Sequence, residues 1–135
     1  MYLEPTNETG MLFFQREIEG PVTMLNLLRF HDQADYSASP ELAPPQPITG
    51  QEAYEIYVNL TTPFLEEVGG TVSYLGRGGH YLIGPIEERW DLVLLVKHRS
   101  VQVFMSMAEN SAYMSVLGHR TAALADSRLL PIETI

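Results

Sequence analysis

In the stretch Asp91-Leu-Val-Leu-Leu-Val-Lys-His-Arg99, Leu92, Leu94 and Val96 fall on one side of an extended chain, and Val93 and Leu95 fall on the other. That pattern predicts a strand covered on both faces. Val22 to Phe30 reads the same way, with Val22, Met24, Leu28 and Phe30 on one face and Leu25 and Leu27 on the other. From Gln51 the spacing changes: Ala53, Ile56, Tyr57, Leu60, Phe64 and Val68 recur at three and four residues, predicting a helix that Gly69-Gly70 ends. Pro63 is expected to kink it. Thr71 to Gly84 predicts a further strand, interrupted by a bulge or bend at Gly76-Arg-Gly-Gly79. Ser100 can cap a helix carrying Val103, Phe104 and Met107, and a helical run continues through Tyr113, Leu117, Thr121 and Leu124. Arg128 to Glu133 predicts a short edge strand, because Pro131 lacks an N–H.

The order strand, helix, strand, strand, helix, strand predicts an α+β, ferredoxin-like βαββαβ fold: one antiparallel four-stranded sheet with helices on one face. A solvated face would alternate cleanly between apolar and polar residues, and the first and third strands do not. Leaving four such side chains in water forgoes about 1.5–3 kcal/mol each, against the ~5–15 kcal/mol that holds a domain together. A two-fold homodimer, sheet packed on sheet, is the expected cover. The alternative is an N-terminal segment folded back as a lid. Residues 1–135 form a single domain, in which 1–21 are an N-terminal extension with a short helix around Met11-Leu-Phe-Phe14. Residues 31–50 are a loop insertion rich in proline, with Pro40, Pro44, Pro45 and Pro47.

Composition narrows the partners. Seventeen acidic residues against eight basic ones give a formal charge of -9, a field that repels phosphate backbones and anionic lipid. Nucleic acid and membrane surfaces are therefore not expected partners. The absence of cysteine removes disulfides and thiolate chemistry. No basic-then-apolar leader opens the sequence and no apolar run nears a membrane span, so the expected location is cytoplasmic.

Several short motifs resemble the dimeric α+β barrel superfamily, and in particular one of its uncharacterised bacterial families, a domain of unknown function. They are Ala53-Tyr-Glu-Ile-Tyr57, Gly69-Gly70, Arg77-Gly78-Gly79, Trp90-Asp91, and Tyr113 with Arg120-Thr-Ala-Ala-Leu-Ala-Asp-Ser-Arg128. The resemblance covers about residues 51–133, and Val22 to Phe30 fits as its first strand. It implies a homodimer and, in many members, a small-molecule pocket between sheet and helices. It does not imply one chemistry, since the superfamily spans cofactor-free monooxygenases, lactone isomerases, haem-dependent enzymes and proteins without known activity. Where that family has an acidic residue, an aromatic and a proline before the capping serine, this chain has Lys97-His98-Arg99. A role resting on that acid does not carry over.

Candidate chemistry follows from polar groups that punctuate apolar elements. Asn26 interrupts an apolar face, as a structural amide or as a donor aimed at a ligand carbonyl or enolate oxygen. His98 shares its face with Leu92, Leu94 and Val96, as a core histidine or as a general base. Asn26 and His98 are the catalytic candidates. Arg77 and Arg120 are candidates to converge on a carboxylate, the bland reading being that Arg77 pins a bend and Arg120 pairs with an acid such as Asp126. Tyr113 and Trp90, the lone tryptophan, are candidates to stack on a planar ligand, or are simply core. The histidines at 31, 80, 98 and 119 have no metal-ligand spacing, so no metal or other cofactor is expected. The function expected from all this is a homodimeric small-molecule-binding protein for a planar or carboxylated metabolite, with cofactor-free monooxygenase- or isomerase-like chemistry left open. The alternative is a non-catalytic binding or assembly module.

Overall fold

The two segments that are apolar on both sides become the two central strands of the sheet. The computed structural model describes residues 1–135. Its elements are α1 (Asn7–Gln15), β1 (Val22–Phe30), α2 (Gly50–Glu67), β2 (Thr71–Arg77), β3 (Leu92–His98), α3 (Val101–Ala108), α4 (Ser111–Val116), α5 (Gly118–Ala123) and β4 (Leu124–Glu133). The four strands form one antiparallel sheet in the order β2-β3-β1-β4, the ferredoxin-like arrangement expected from the pattern.

Register assigns the faces. Val22 lies opposite His98, Met24 opposite Val96, Asn26 opposite Leu94 and Leu28 opposite Leu92, so these eight residues share the face toward the helices. Val22, Met24, Leu28, Leu94 and His98 are buried there. One core cluster joins Leu28 and Leu94 to Ala53 and Tyr54 of α2 and to Ala123 and Leu124. A second, at the other end, joins Val22 and Met24 to Ile18 and Val101, with Phe13 of α1 and Phe104 of α3 packed against it. The N-terminal helix therefore sits on the helix side. It is no lid for the opposite face, where Leu25, Leu27, Val93 and Leu95 remain partly exposed and Tyr74, Leu130 and Ile132 more so.

Helix α2 starts at a capping box: the Thr49 hydroxyl accepts from the Glu52 N–H and the Glu52 carboxylate accepts from the Thr49 N–H. It continues for four residues beyond Pro63, while the Thr61 and Thr62 hydroxyls donate to the Tyr57 and Val58 carbonyls. The strand after it departs from expectation. β2 stops at Arg77, and its irregularity lies between Val72 and Tyr74 rather than at the glycines. Beyond Gly78 the chain forms a loop closed by a lone His80–Arg89 bridge. The late helical run is likewise two helices broken at Leu117, and Leu124 belongs to β4, where it pairs with Phe30 past a register shift. β4 is the edge strand expected of Pro131, but it begins four residues earlier than Arg128.

Candidate functional site

Three of the seven tyrosines come together where α2 packs on α4 and α5, two of them within the field of Arg120. Tyr54 and Tyr57 stand one turn apart on the inward stripe of α2, their rings 5.4 Å apart. Asn110 caps α4 by accepting from the Ala112 and Tyr113 N–H groups, which sets Tyr113 at the first turn. There the Tyr113 and Tyr57 hydroxyls share a 2.6 Å hydrogen bond, and Phe64 lies edge-on to the Tyr113 ring. Arg120 of α5 donates to the Leu3 carbonyl at 3.0 Å.

Burial sets the protonation of this cluster. It pushes the Tyr54 hydroxyl up to about 12, against an opposing pull from the Arg120 charge. Tyr57 is raised well above the usual 10.0, first by burial and then by Tyr113. Both are therefore phenols at neutral pH, with O–H groups to donate. Asn26 is on the sheet face toward the helices, beside Leu94 of β3 and Leu129 of β4. Its amide Nδ2 donates only to the Met24 carbonyl, two residues back, at 3.2 Å.

The other candidates lie elsewhere. His98 is 2% exposed, edge-on to Phe104 with ring centroids 5.0 Å apart, and its Nδ1 has no hydrogen-bond partner. Burial lowers its pKa. It belongs with the Val22 and Val101 end of the layer, four positions along β3 from Leu94. Arg77 is exposed at the end of the edge strand β2, so it does not converge with Arg120. Nor does Arg120 pair with Asp126, as the bland reading had it.

Asp126 instead accepts from Arg128 at 2.8 Å, and Arg128 also reaches Glu88 at 2.9 Å. The Arg128 guanidinium lies 4.9 Å from the centre of the Trp90 ring and 4.8 Å from that of Tyr2. Burial works against the Asp126 charge, but the Tyr2 N–H, Arg128 and the Ser127 N–H outweigh it and hold the carboxyl below its ordinary range. Trp90 is buried and donates Nε1–H to the Tyr81 hydroxyl at 2.8 Å, so its surroundings are those of a strut for the 78–91 loop.

Of the six sequence candidates, then, Tyr113 and Arg120 come together. Asn26 faces the same layer, and His98, Arg77 and Trp90 stand apart. Sequence reasoning missed Tyr54 and Tyr57 as chemical groups because they fall on the apolar stripe. Their Tyr-x-x-Tyr spacing was the available signal.

No protein-family model matches the chain, and no curated protein matches it. Among solved structures it is 35% identical to the RPA0582 protein of Rhodopseudomonas palustris, a protein of unknown function. That match covers 99% of this chain and 97% of the other, with a TM-score of 0.82. A dimeric ferredoxin-like protein of unknown function from Jannaschia sp. matches 85% of this chain and 100% of its own, at 11% identity and a TM-score of 0.54. SnoaB, a cofactor-independent oxygenase from Streptomyces nogalater, matches 87% of this chain and 95% of its own, at 11% identity and a TM-score of 0.53. The two distant matches show the fold alone.

Proposed function

The chain belongs to the family of the RPA0582 protein, and from that footing we propose that it is a homodimer that binds a small carboxylated or planar metabolite. Dimerisation joins the open sheet faces, burying Leu25, Leu27, Val93, Leu95, Leu130 and Ile132 against their counterparts. The ligand enters between sheet and helices. Its oxygen atoms meet the Tyr57 and Tyr113 hydroxyls and the Arg120 guanidinium, and Asn26 closes the sheet side.

The observation that carries this reading is the part-buried phenol pair, Tyr57 and Tyr113 at 2.6 Å, within the field of Arg120. Such a set of donors suits a carboxylate or enolate oxygen. It supplies no base at neutral pH, because tyrosines are phenols there and burial raises Tyr54 and Tyr57 further still. Binding is therefore better supported than proton-abstraction chemistry at this cluster. A cofactor-free enzyme is the second reading, favoured by the fold shared with SnoaB, which is a cofactor-independent oxygenase.

A thermal-shift screen of aromatic and aliphatic carboxylic acids tests the proposal. Binding should raise the melting temperature, and Arg120→Ala should weaken it about 10- to 100-fold, the range expected for a lost charge-assisted hydrogen bond. Tyr57→Phe should weaken binding less and remain folded. If no acid shifts the native chain while the dimer persists, the protein is an assembly module and the binding reading is wrong.

A further inference from the structure

Of the eight lysines and arginines, five are engaged within the chain. Arg16 donates to the Pro131 carbonyl and Arg120 to that of Leu3, while Arg29, Arg89 and Arg128 face carboxylates. Arg77, Lys97 and Arg99 make no hydrogen bond or ion pair with the protein. Two of these three, including the chain's only lysine, flank His98 where α2 hands over to β2. A cleft of about 300 Å³ opens at that point, lined by Pro21, Gly69, Thr71, Lys97, His98 and Arg99.

No carboxylate lines the cleft, although the chain as a whole carries a charge of -9. The walls are also set in place. Thr71 lies opposite Lys97 in the sheet. Gly69 has φ +75, and a Cβ there would fall 2.3 Å from the guanidinium carbon of Arg99, so the missing side chain leaves room for that head group. The His98 ring turns the other way, to the helix side beside Phe104, and leaves the cleft to its neighbours in sequence. Unpaired cations, a hydroxyl and no competing acid are what an oxyanion requires of its host.

We propose that this cleft is a binding site for a small oxyanion, the phosphate or carboxylate group of a metabolite, held by the Lys97 ammonium and the Arg99 guanidinium with the Thr71 hydroxyl as a hydrogen-bonding partner. It is distinct from the tyrosine cluster and stands whether or not that cluster binds a ligand. The competing account is that Arg99 only offsets the carbonyl end of α2, with Lys97 solvated.

Titration of the full chain with inorganic phosphate at constant ionic strength, followed by amide NMR, separates the two. Saturable shifts are expected at Thr71, Lys97, His98 and Arg99. Lys97→Gln and Arg99→Gln, both at exposed positions, should each weaken phosphate about tenfold. Arg77→Gln, which removes the third unpaired cation, should leave binding unchanged. Acetate as a second probe identifies the class: displacement of phosphate from the same residues admits carboxylates, and failure to displace it restricts the site to phosphoryl groups. Phosphate shifts that do not saturate, that favour Arg77 equally, or that survive Lys97→Gln at full affinity would overturn the proposal.

Discussion

His98 carries the clearest consequence of a single side chain. Its pKa and that of His119 are lowered from the usual 6.5 by burial. The unfolded chain therefore binds more protons than the folded one just below that value. The stability these groups permit is complete above about 6.5 and is lost as pH falls toward the lowered folded values. Asp35 and Asp126 are also lowered, from 3.8, so their contribution is lost only at still lower pH. Urea midpoints should drop between pH 7.5 and 5.5, and His98→Phe, which keeps a ring against Phe104, should flatten that drop. An unchanged slope in the variant would mean that His98 is not a source of it. At this scale the sequence was informative about position and silent about partners. The apolar face that Leu92, Leu94 and Val96 share with His98 was legible, as was Asn26 among aliphatics. The Tyr57–Tyr113 bond spans 56 residues and exists only because α2 and α4 pack, which no local pattern encodes.

Gly50 shows how one position ties elements together. Its N–H donates to the His31 carbonyl, and an added Cβ would meet the His31 oxygen at 2.3 Å and the Ala123 oxygen at 2.6 Å. Both are backbone atoms, and His31 is itself bonded to Ala123, so neither can move without shifting the proline-rich loop against the start of β4. Gly50→Ala should cost about 1–3 kcal/mol in urea unfolding, the range for overpacked sites; a neutral substitution would show that this junction is soft. Strands β1 and β3 and helix α2 were readable because hydrophobic period and burial agree along them. The break at Leu117 was not. A side chain on Gly118 would strike Ser39 and Leu42, so the distant loop packs directly against the chain at that break. β4 was read too short for a similar reason. Leu124 continues a helical spacing from Thr121, yet pairing with β1 captures it.

For the whole molecule, the apolar reverse of the sheet is the surface that the proposed dimer would cover. Leu25, Leu27, Val93 and Leu95 are four side chains worth about 1.5–3 kcal/mol each if covered, and α1 lies on the other side. Leu95→Glu should leave the monomer fold intact and shift sedimentation toward the single subunit. A dimer indifferent to that change would place the interface elsewhere. This property was legible in the sequence, since an alternating pattern fails only where both sides are apolar. The route of the 78–91 loop was not, because it depends on Arg128 lying between Tyr2 and Trp90 and on the reach of its side chain to Glu88. Those contacts hold the loop at its base. Toward its tip, Leu82 is fully exposed, Ile83 92% and Ile86 77%. These side chains bury almost no apolar surface within the chain, so the loop tip lends little to its stability.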